Sequence, residues 1–161
     1  MGRLERFGNG ATRVLGQSLV EFALILPIFV LLLVGIFDLG RAVYATSTLN
    51  NAAREAGRLA IVDQTIGHIQ AEAIKQSVGL GLGTADVSID FRDPSTPNTP
   101  NSCGSPITIG CIADVKVSYA YGPATPIIDR LVGPLHLNGE TKFSVEAICA
   151  EPTQPICPPG S

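Results

Sequence analysis

The hydrophobic residues of this chain form one long continuous run near the N-terminus and several shorter alternating runs after it. Sixteen residues from Phe22 to Phe37 carry no charge, and the run extends back to Leu19 across Glu21. A helix that spans a bilayer needs about 20 mostly apolar residues, and Leu19 to Phe37 supplies nineteen. The pattern therefore predicts a transmembrane segment over residues 19–37.

The residues that follow this segment have the composition of a helix. From Asp38 to Ile61 there is no proline and no strong turn cluster, and Ala, Leu, Arg and Glu are frequent. Apolar positions recur at intervals of four, three and four residues, which places them on one helical face: Leu49, Ala53, Ala56 and Ala60. We expect one long helix over residues 17–61, whose second half packs against a soluble domain.

The residues after 61 predict a small external α+β domain over 62–150 and a proline-rich tail over 151–161. A short helix is expected over Ile69–Val78, because the glycines of Gly79–Gly83 end it. Three runs then alternate apolar and polar positions: Val87, Ile89 and Phe91; Val115, Val117, Tyr119 and Tyr121; Phe143, Val145 and Ala147. Such alternation predicts an antiparallel sheet of about three strands, packed on the alanine-lined helix.

Composition and motifs narrow the classes of function. The eleven Lys and Arg residues are scattered and the net charge is -3, so the basic stripe that nucleic-acid binding needs is missing. No G-x-S-x-G, H-E-x-x-H or Walker motif occurs, and His68 and His136 have no acidic partner nearby in the sequence. Gly79–Gly83 follows a helix and precedes a strand, which is the wrong order for a phosphate-binding loop. We predict neither an enzyme nor a cofactor.

The positions of the charges and cysteines predict the orientation of the chain. Arginines 3, 6 and 13 precede the apolar run, and only Arg41 falls within the fifteen residues after it, so the N-terminus is expected in the cytoplasm. All four cysteines follow the run. Four cysteines in a small external domain are typical of two disulfides in an oxidising compartment.

The spacing of the cysteines favours one of three connectivities. Cys103 with Cys111, and Cys149 with Cys157, each enclose seven residues in a stretch with Pro or Gly. A cross-link between the loop and the tail stays open. A zinc site is the other alternative, although neither pair has the short C-x2-4-C spacing that zinc sites use.

Three interpretations of the N-terminal segment compete. A secretory signal peptide would be cut after Val43-Tyr44-Ala45, but its apolar run would exceed the usual length of about 7–15 residues. A single-pass anchor of an envelope binding protein that never enters a filament explains the hydrophobicity, but it leaves Gly16 and Glu21 unexplained. The third interpretation takes Gly16 and Glu21 together.

Residues 16–22, with the sequence Gly-Gln-Ser-Leu-Val-Glu-Phe, resemble the processing site of type IV pilin-like precursors. Their continuation to Pro27, together with the segments Gly35–Ala42 and Asn51–Arg58, resembles the TadE-like family of tight-adherence pilus pseudopilins. The resemblance covers roughly the first sixty residues. It implies a cytoplasmic leader over residues 1–16, cut between Gly16 and Gln17, which makes Glu21 the fifth residue of the mature chain.

The same resemblance implies a function in assembly of a tight-adherence (type IVb) pilus, with Glu21 and Phe22 as assembly residues. Glu21 would pair with the N-terminal amine of a neighbouring subunit, which offsets its desolvation and sets the axial register. The simpler alternative is that Glu21 reaches toward the headgroups and pairs with its own N-terminus.

The partners that the resemblance implies are a prepilin peptidase, other pilin or pseudopilin subunits, the inner-membrane pilus assembly machinery and the lipid bilayer. The expected location is the bacterial inner membrane, in a single pass with the C-terminal domain outside, or a minor position within the pilus itself.

Overall fold

The computed structural model describes residues 10–125, 129–130 and 133–148, with side chains described from residue 16 onward. The elements are α1 (Gly10–Ala60), α2 (Ile66–Gln76), a 3-10 turn (Thr84–Asp86), β1 (Val87–Arg92), β2 (Ile112–Tyr121) and β3 (Leu135–Ser144). The predicted α+β class is therefore confirmed. The chain divides into two compact units, one ending at Gly40 and the other beginning at Arg41.

Helix α1 starts earlier than the sequence predicts. It begins at Gly10, seven residues before the predicted start at Gln17, and it continues through Pro27 to Ala60. Its most apolar window of 18 residues has no buried side chain, and it is the one helix in the described part of the chain that is long and apolar enough to cross a membrane. Burial of these side chains requires an apolar environment outside the chain.

In the unit that begins at Arg41, α1 packs on the sheet through the predicted face. Leu49, Ala53, Ala56 and Ala60 are each 0 % exposed, and they form one core cluster with strand residues such as Val115. Small alanine side chains permit this close packing because little side-chain volume separates the helix from the strands. The face predicted from the sequence is therefore confirmed.

Glycine allows the helix and the sheet to approach each other even more closely at two positions. A Cβ added at Gly57 would lie 2.7 Å from Cδ2 of Phe143. A Cβ added at Gly139, in the middle of β3, would run into the backbone carbonyl of Leu49. The carbonyl cannot rotate away as a side chain can, so the packing of β3 on α1 depends on the absence of a side chain at Gly139.

The three strands form one antiparallel sheet in the order β1-β2-β3. Its outer face is charged. Asp114 of β2 is buried and lies 2.9 Å from the Arg92 guanidinium, while Glu140 lies 2.8 Å from the Lys142 ammonium and 3.2 Å from that of Lys116. This face alternates with the apolar face toward α1, as the period-two pattern predicts.

The position predicted for the third strand is wrong by several residues. The sequence pattern placed it around Phe143–Ala147, whereas β3 covers Leu135–Ser144. The inward positions in the middle of β3 are Gly139 and Thr141, which carry no apolar signal because α1 lies too close for larger side chains. Val145 follows the strand, and its side chain is buried in the core cluster. Its amide donates to the Cys111 carbonyl at 2.8 Å.

Asp63 organises the connection between α1 and α2. Its side chain is buried, and it accepts hydrogen bonds from the Thr65 amide at 2.8 Å and from His68 Nδ1 at 2.7 Å. The expectation that His68 lacks an acidic partner nearby in the sequence is therefore wrong, since Asp63 precedes it by five residues. Helix α2 accordingly begins at Ile66, three residues before the predicted start at Ile69.

The pKa of Asp63 reflects a balance of burial and hydrogen bonding. Burial disfavours the charged carboxylate and raises the pKa, but the bonds from the Thr65 amide, His68 and the Thr65 hydroxyl together outweigh it. The pKa of Asp63 therefore lies below the ordinary aspartate value of 3.8. The folded chain holds this carboxylate in its charged form.

Replacing Asp63 with asparagine is expected to lower the free energy of unfolding by about 1–3 kcal/mol at about pH 5, because the amide loses the charge-assisted bond to His68. A carboxylate whose pKa is lowered by folding stabilises the chain above about pH 4, and this contribution is lost as the pH falls further. The gap between wild type and Asp63→Asn should therefore shrink between about pH 5 and about pH 3.

Pulse proteolysis of the full chain in detergent measures this gap in the free energy of unfolding. Asp129→Asn is the matched control, because Asp129 is exposed. A gap of equal size at both pH values would contradict a role for the Asp63 charge.

Candidate assembly site on the N-terminal helix

The four residues predicted for processing and assembly all lie on α1. Gly16, Gln17, Glu21 and Phe22 are helical, and all four are exposed. Glu21 follows Gln17 by four residues, a spacing that places both on the same face of a helix, one turn apart. The helix therefore presents the predicted cleavage position and the carboxylate to the same side.

The surroundings of Glu21 are apolar and exposed. It is the only charged residue between Arg13 and Asp38 in the sequence, and its neighbours Leu19, Phe22 and Leu24 are largely exposed. In a bilayer, a carboxylate on such a surface is stable only near the headgroups or beside a cation. A single carboxylate at Glu21 on this apolar surface can therefore bind one positively charged group at one depth in a bilayer.

Packing among the described residues does not require glycine at position 16. A Cβ added there would meet nothing within 4 Å, and the same holds for Gly35 and Gly40 further along α1. A glycine in a helix interior costs about 1 kcal/mol relative to alanine. The packing of the described residues supplies no reason for glycine at position 16, whereas a protein that approaches the backbone closely would supply one.

The predicted pairing of Cys103 with Cys111 is confirmed. The two residues form a disulfide with their Cα atoms 6.0 Å apart, in the loop between β1 and β2. The Cys103 amide donates to the Phe91 carbonyl at 3.2 Å, which ties this loop to the end of β1. The predicted pair of Cys149 and Cys157 lies outside the described residues.

The disulfide bears on the zinc alternative, because oxidised sulfurs cannot act as thiolate ligands. Cys103 and Cys111 are therefore not ligands in this structure. Within the described ranges, no group of three or more His, Cys, Asp or Glu side chains could hold a metal ion. His136 is exposed on β3, and His68 is engaged by Asp63.

A pocket that the sequence analysis missed lies at one end of the second unit. We call it the tyrosine pocket; it has a volume of about 140 Å³ and is lined by Arg41, Tyr44, Ala45, Gly79, Leu80, Tyr119 and Tyr121. The Arg41 guanidinium lies 5.7 Å from the centroid of the Tyr121 ring. The sequence signal that could have pointed to this pocket is the presence of Arg41 and Tyr44 shortly after the apolar run. Basic and aromatic residues are typical of the flanks of a membrane span.

Comparison with known proteins bears on the N-terminal helix. The family model described as TadE-like protein matches residues 16–58, so the predicted resemblance is confirmed over this segment. The match begins at Gly16, contains Glu21 and ends two residues before the end of α1. No curated protein and no solved structure matches the chain.

Proposed function

We propose that this chain, whose residues 16–58 are a TadE-like segment, is a membrane-anchored pseudopilin or minor pilin that acts in assembly of a tight-adherence (type IVb) pilus. The observation that carries the proposal is the coincidence of the family segment with Glu21 on an exposed apolar helix. The match and the helix together fit a membrane-anchored protein related to the Tad pilus. The TadE-like family is generally non-enzymatic, and we assign the chain no catalytic role.

In this proposal the chain crosses the bacterial inner membrane once, through residues 19–37, with its N-terminus in the cytoplasm. The arginines before the span favour this orientation. The Cys103–Cys111 disulfide supports it as well, because disulfides persist in the oxidising environment outside the cytoplasm. The domain after the span would then face the outside.

Processing after Gly16 by a prepilin peptidase is the first proposed step. Removal of residues 1–16 creates a positively charged amine at Gln17, one helical turn from Glu21. Each mature subunit then carries an amine and a carboxylate at nearly the same membrane depth. The amine of one subunit can pair with the carboxylate of the next.

This pairing supplies a reason for ordered assembly. An unpaired carboxylate within the span costs about 3 kcal/mol on insertion scales. Contact with the amine of a neighbouring pilin or pseudopilin offsets that cost only when the two helices are in one axial register. The inner-membrane assembly machinery would act on subunits that are held in this register.

Gly16→Leu is expected to block processing, because the leucine side chain occupies the space through which a peptidase must approach the backbone. The variant should fold normally, since a Cβ at Gly16 meets nothing within 4 Å. Intact-mass measurement of the membrane-extracted chain should show residues 1–16 still attached.

Gly35→Leu is the matched control, because it makes the same change on the same helix at a position that is equally open. It should be processed like the wild type, whose mature chain is expected to begin at Gln17. A wild-type chain that retains Met1 would indicate a simple anchor, and one that begins at Thr46 would indicate a secreted protein. Either result would overturn the proposal.

A further inference from the structure

The tyrosine pocket brings all three tyrosines of the chain together with Arg41. Tyr121 is 3 % exposed beneath the Arg41 guanidinium, and Tyr119 is half-buried. Tyr44 at the rim is 59 % exposed, and its hydroxyl donates to the Val78 carbonyl at 3.4 Å. The pocket thus combines a guanidinium with phenol rings at an open surface.

Contacts within the second unit show which end of its sheet carries this pocket. Arg41, where the unit begins, lies beside Tyr121, the last residue of β2. At the other end of the sheet, the amides of Glu146 and Ala147 donate to the Ile61 carbonyl, just after the end of α1. The pocket therefore lies at the end of the sheet beside Arg41, and the disulfide loop lies at the opposite end.

The short chain distance between Phe37 and Arg41 limits how far the pocket can lie from the end of the predicted span. Each helical residue advances about 1.5 Å, so Arg41 follows Phe37 by about 6 Å and Tyr44 follows it by about 10 Å. The headgroup layer on each side of a bilayer is roughly 5–8 Å thick, from the difference between the full bilayer and its hydrocarbon core. Arg41 therefore comes at the level of the headgroups, and Tyr44 comes just outside them.

The surface around the pocket suits this environment. Val43 and Val78 are 59 % and 72 % exposed beside Tyr44, which is unfavourable for apolar side chains in bulk water. Tyrosine combines an apolar ring with a polar hydroxyl and is enriched at membrane–water interfaces. The Arg41 guanidinium matches the geometry of a phosphate group, and the pocket that it lines has a volume of about 140 Å³.

We propose that the tyrosine pocket binds the phosphate-bearing headgroups of the outer leaflet and so seats the external domain on the bilayer. The inference rests on the proposed membrane anchoring and adds a second contact with the lipid beyond the span. Arg41 contacts the phosphate, while Tyr44 and its apolar neighbours lie against the outer surface of the headgroup layer. The domain is then held at a fixed height above the membrane.

The chain contains no tryptophan, so a single introduced tryptophan reports on its own position. The full chain is reconstituted into phosphatidylcholine vesicles that carry a nitroxide quencher either on the headgroup or deep in the acyl chain. Tyr44→Trp should be quenched by the headgroup label at least about twofold more strongly than Ile109→Trp, which places the reporter in the exposed disulfide loop at the other end of the sheet.

A third reporter separates failure of the inference from failure of the anchoring. Leu33→Trp lies within the predicted span and should be quenched by the deep label. If it is not, the membrane anchoring is wrong. If Leu33→Trp is quenched but Tyr44→Trp is quenched no more than Ile109→Trp, the proposal for the tyrosine pocket is overturned.

Two further variants in the Tyr44→Trp background test the role of the guanidinium. Arg41→Gln should reduce headgroup quenching toward the level of Ile109→Trp, whereas Arg54→Gln, at an exposed arginine elsewhere on α1, should leave it unchanged. Equal quenching in both variants would overturn phosphate recognition by Arg41.

Inorganic phosphate should not shift the Tyr44→Trp emission in phosphate-free detergent; a shift would assign the pocket to free phosphate and overturn the lipid proposal.

Discussion

Glu21→Ala is expected to leave the chain in the membrane and to abolish its incorporation into pilus assemblies. Alanine is more favourable than glutamate in an apolar span, so insertion is retained or improved. The variant loses the pairing that relieves the cost of a buried carboxylate. That cost of about 3 kcal/mol corresponds to about a hundredfold in an association constant.

The measurement is co-purification of partner pilin subunits with the tagged chain, together with its amount in the membrane fraction. Intact mass shows in the same samples whether the leader has been removed, so a processing defect is not mistaken for an assembly defect. Glu146→Gln removes an exposed carboxylate from the external domain and should assemble normally. Normal assembly of a processed Glu21→Ala chain would mean that Glu21 reaches toward the headgroups rather than toward a neighbouring subunit.

Gly139→Ala is expected to destabilise the external domain by about 3 kcal/mol, at the upper end of the range for overpacking. The added methyl group would meet the backbone carbonyl of Leu49, and relief of that contact requires β3 or α1 to move. The Leu49 side chain is fully buried against the sheet, so such a movement also disturbs the core. Pulse proteolysis of the full chain in detergent measures the free energy of unfolding.

Gly67→Ala is the control for this substitution, because Gly67 lies in α2 and a Cβ there would meet nothing within 4 Å. Its effect should be neutral or stabilising by up to about 1 kcal/mol, since alanine is the better helix former. A Gly139→Ala chain as stable as the Gly67→Ala chain would show that the helix and sheet can separate at little cost.

Local periodicity was sufficient to predict the packing face of α1 and the inward faces of β1 and β2. The intervals between Leu49, Ala53, Ala56 and Ala60 predicted the face of α1 that packs on the sheet, because a helix repeats its faces every 3.6 residues. The apolar patterns of β1 and β2 were informative for the same reason, since their inward positions carry large apolar side chains.

The prediction of β3 failed because the neighbouring helix α1 leaves little room for side chains at the inward positions of this strand. Gly139 and Thr141 give no hydrophobic alternation, yet the small size of Gly139 is what allows α1 to lie against the strand. Alternation instead favoured Phe143–Ala147, where Val145 is buried through contacts that follow the strand. Hydrophobic patterns cannot reveal a position such as Gly139, where the packing requires that there be no side chain.

The candidate assembly site was proposed from the sequence through its resemblance to a pilin-like processing site, and its residues are close together along the chain. Gly16, Gln17, Glu21 and Phe22 share two helical turns, so their spacing alone defined their arrangement. The tyrosine pocket has the opposite character. Tyr44, Gly79 and Tyr121 are far apart in the sequence and meet only in the folded domain.

The sequence by itself indicated the segment that resembles the TadE-like family, the apolar run and the alanine face of α1, and it favoured the pairing of Cys103 with Cys111. Each depends on residues within a few helical turns or one loop, where covalent connection already limits the geometry. Only the tertiary structure decided the position of β3 and the tyrosine pocket. These depend on how closely separate elements approach, and that distance is set by side-chain volume and burial across the interface.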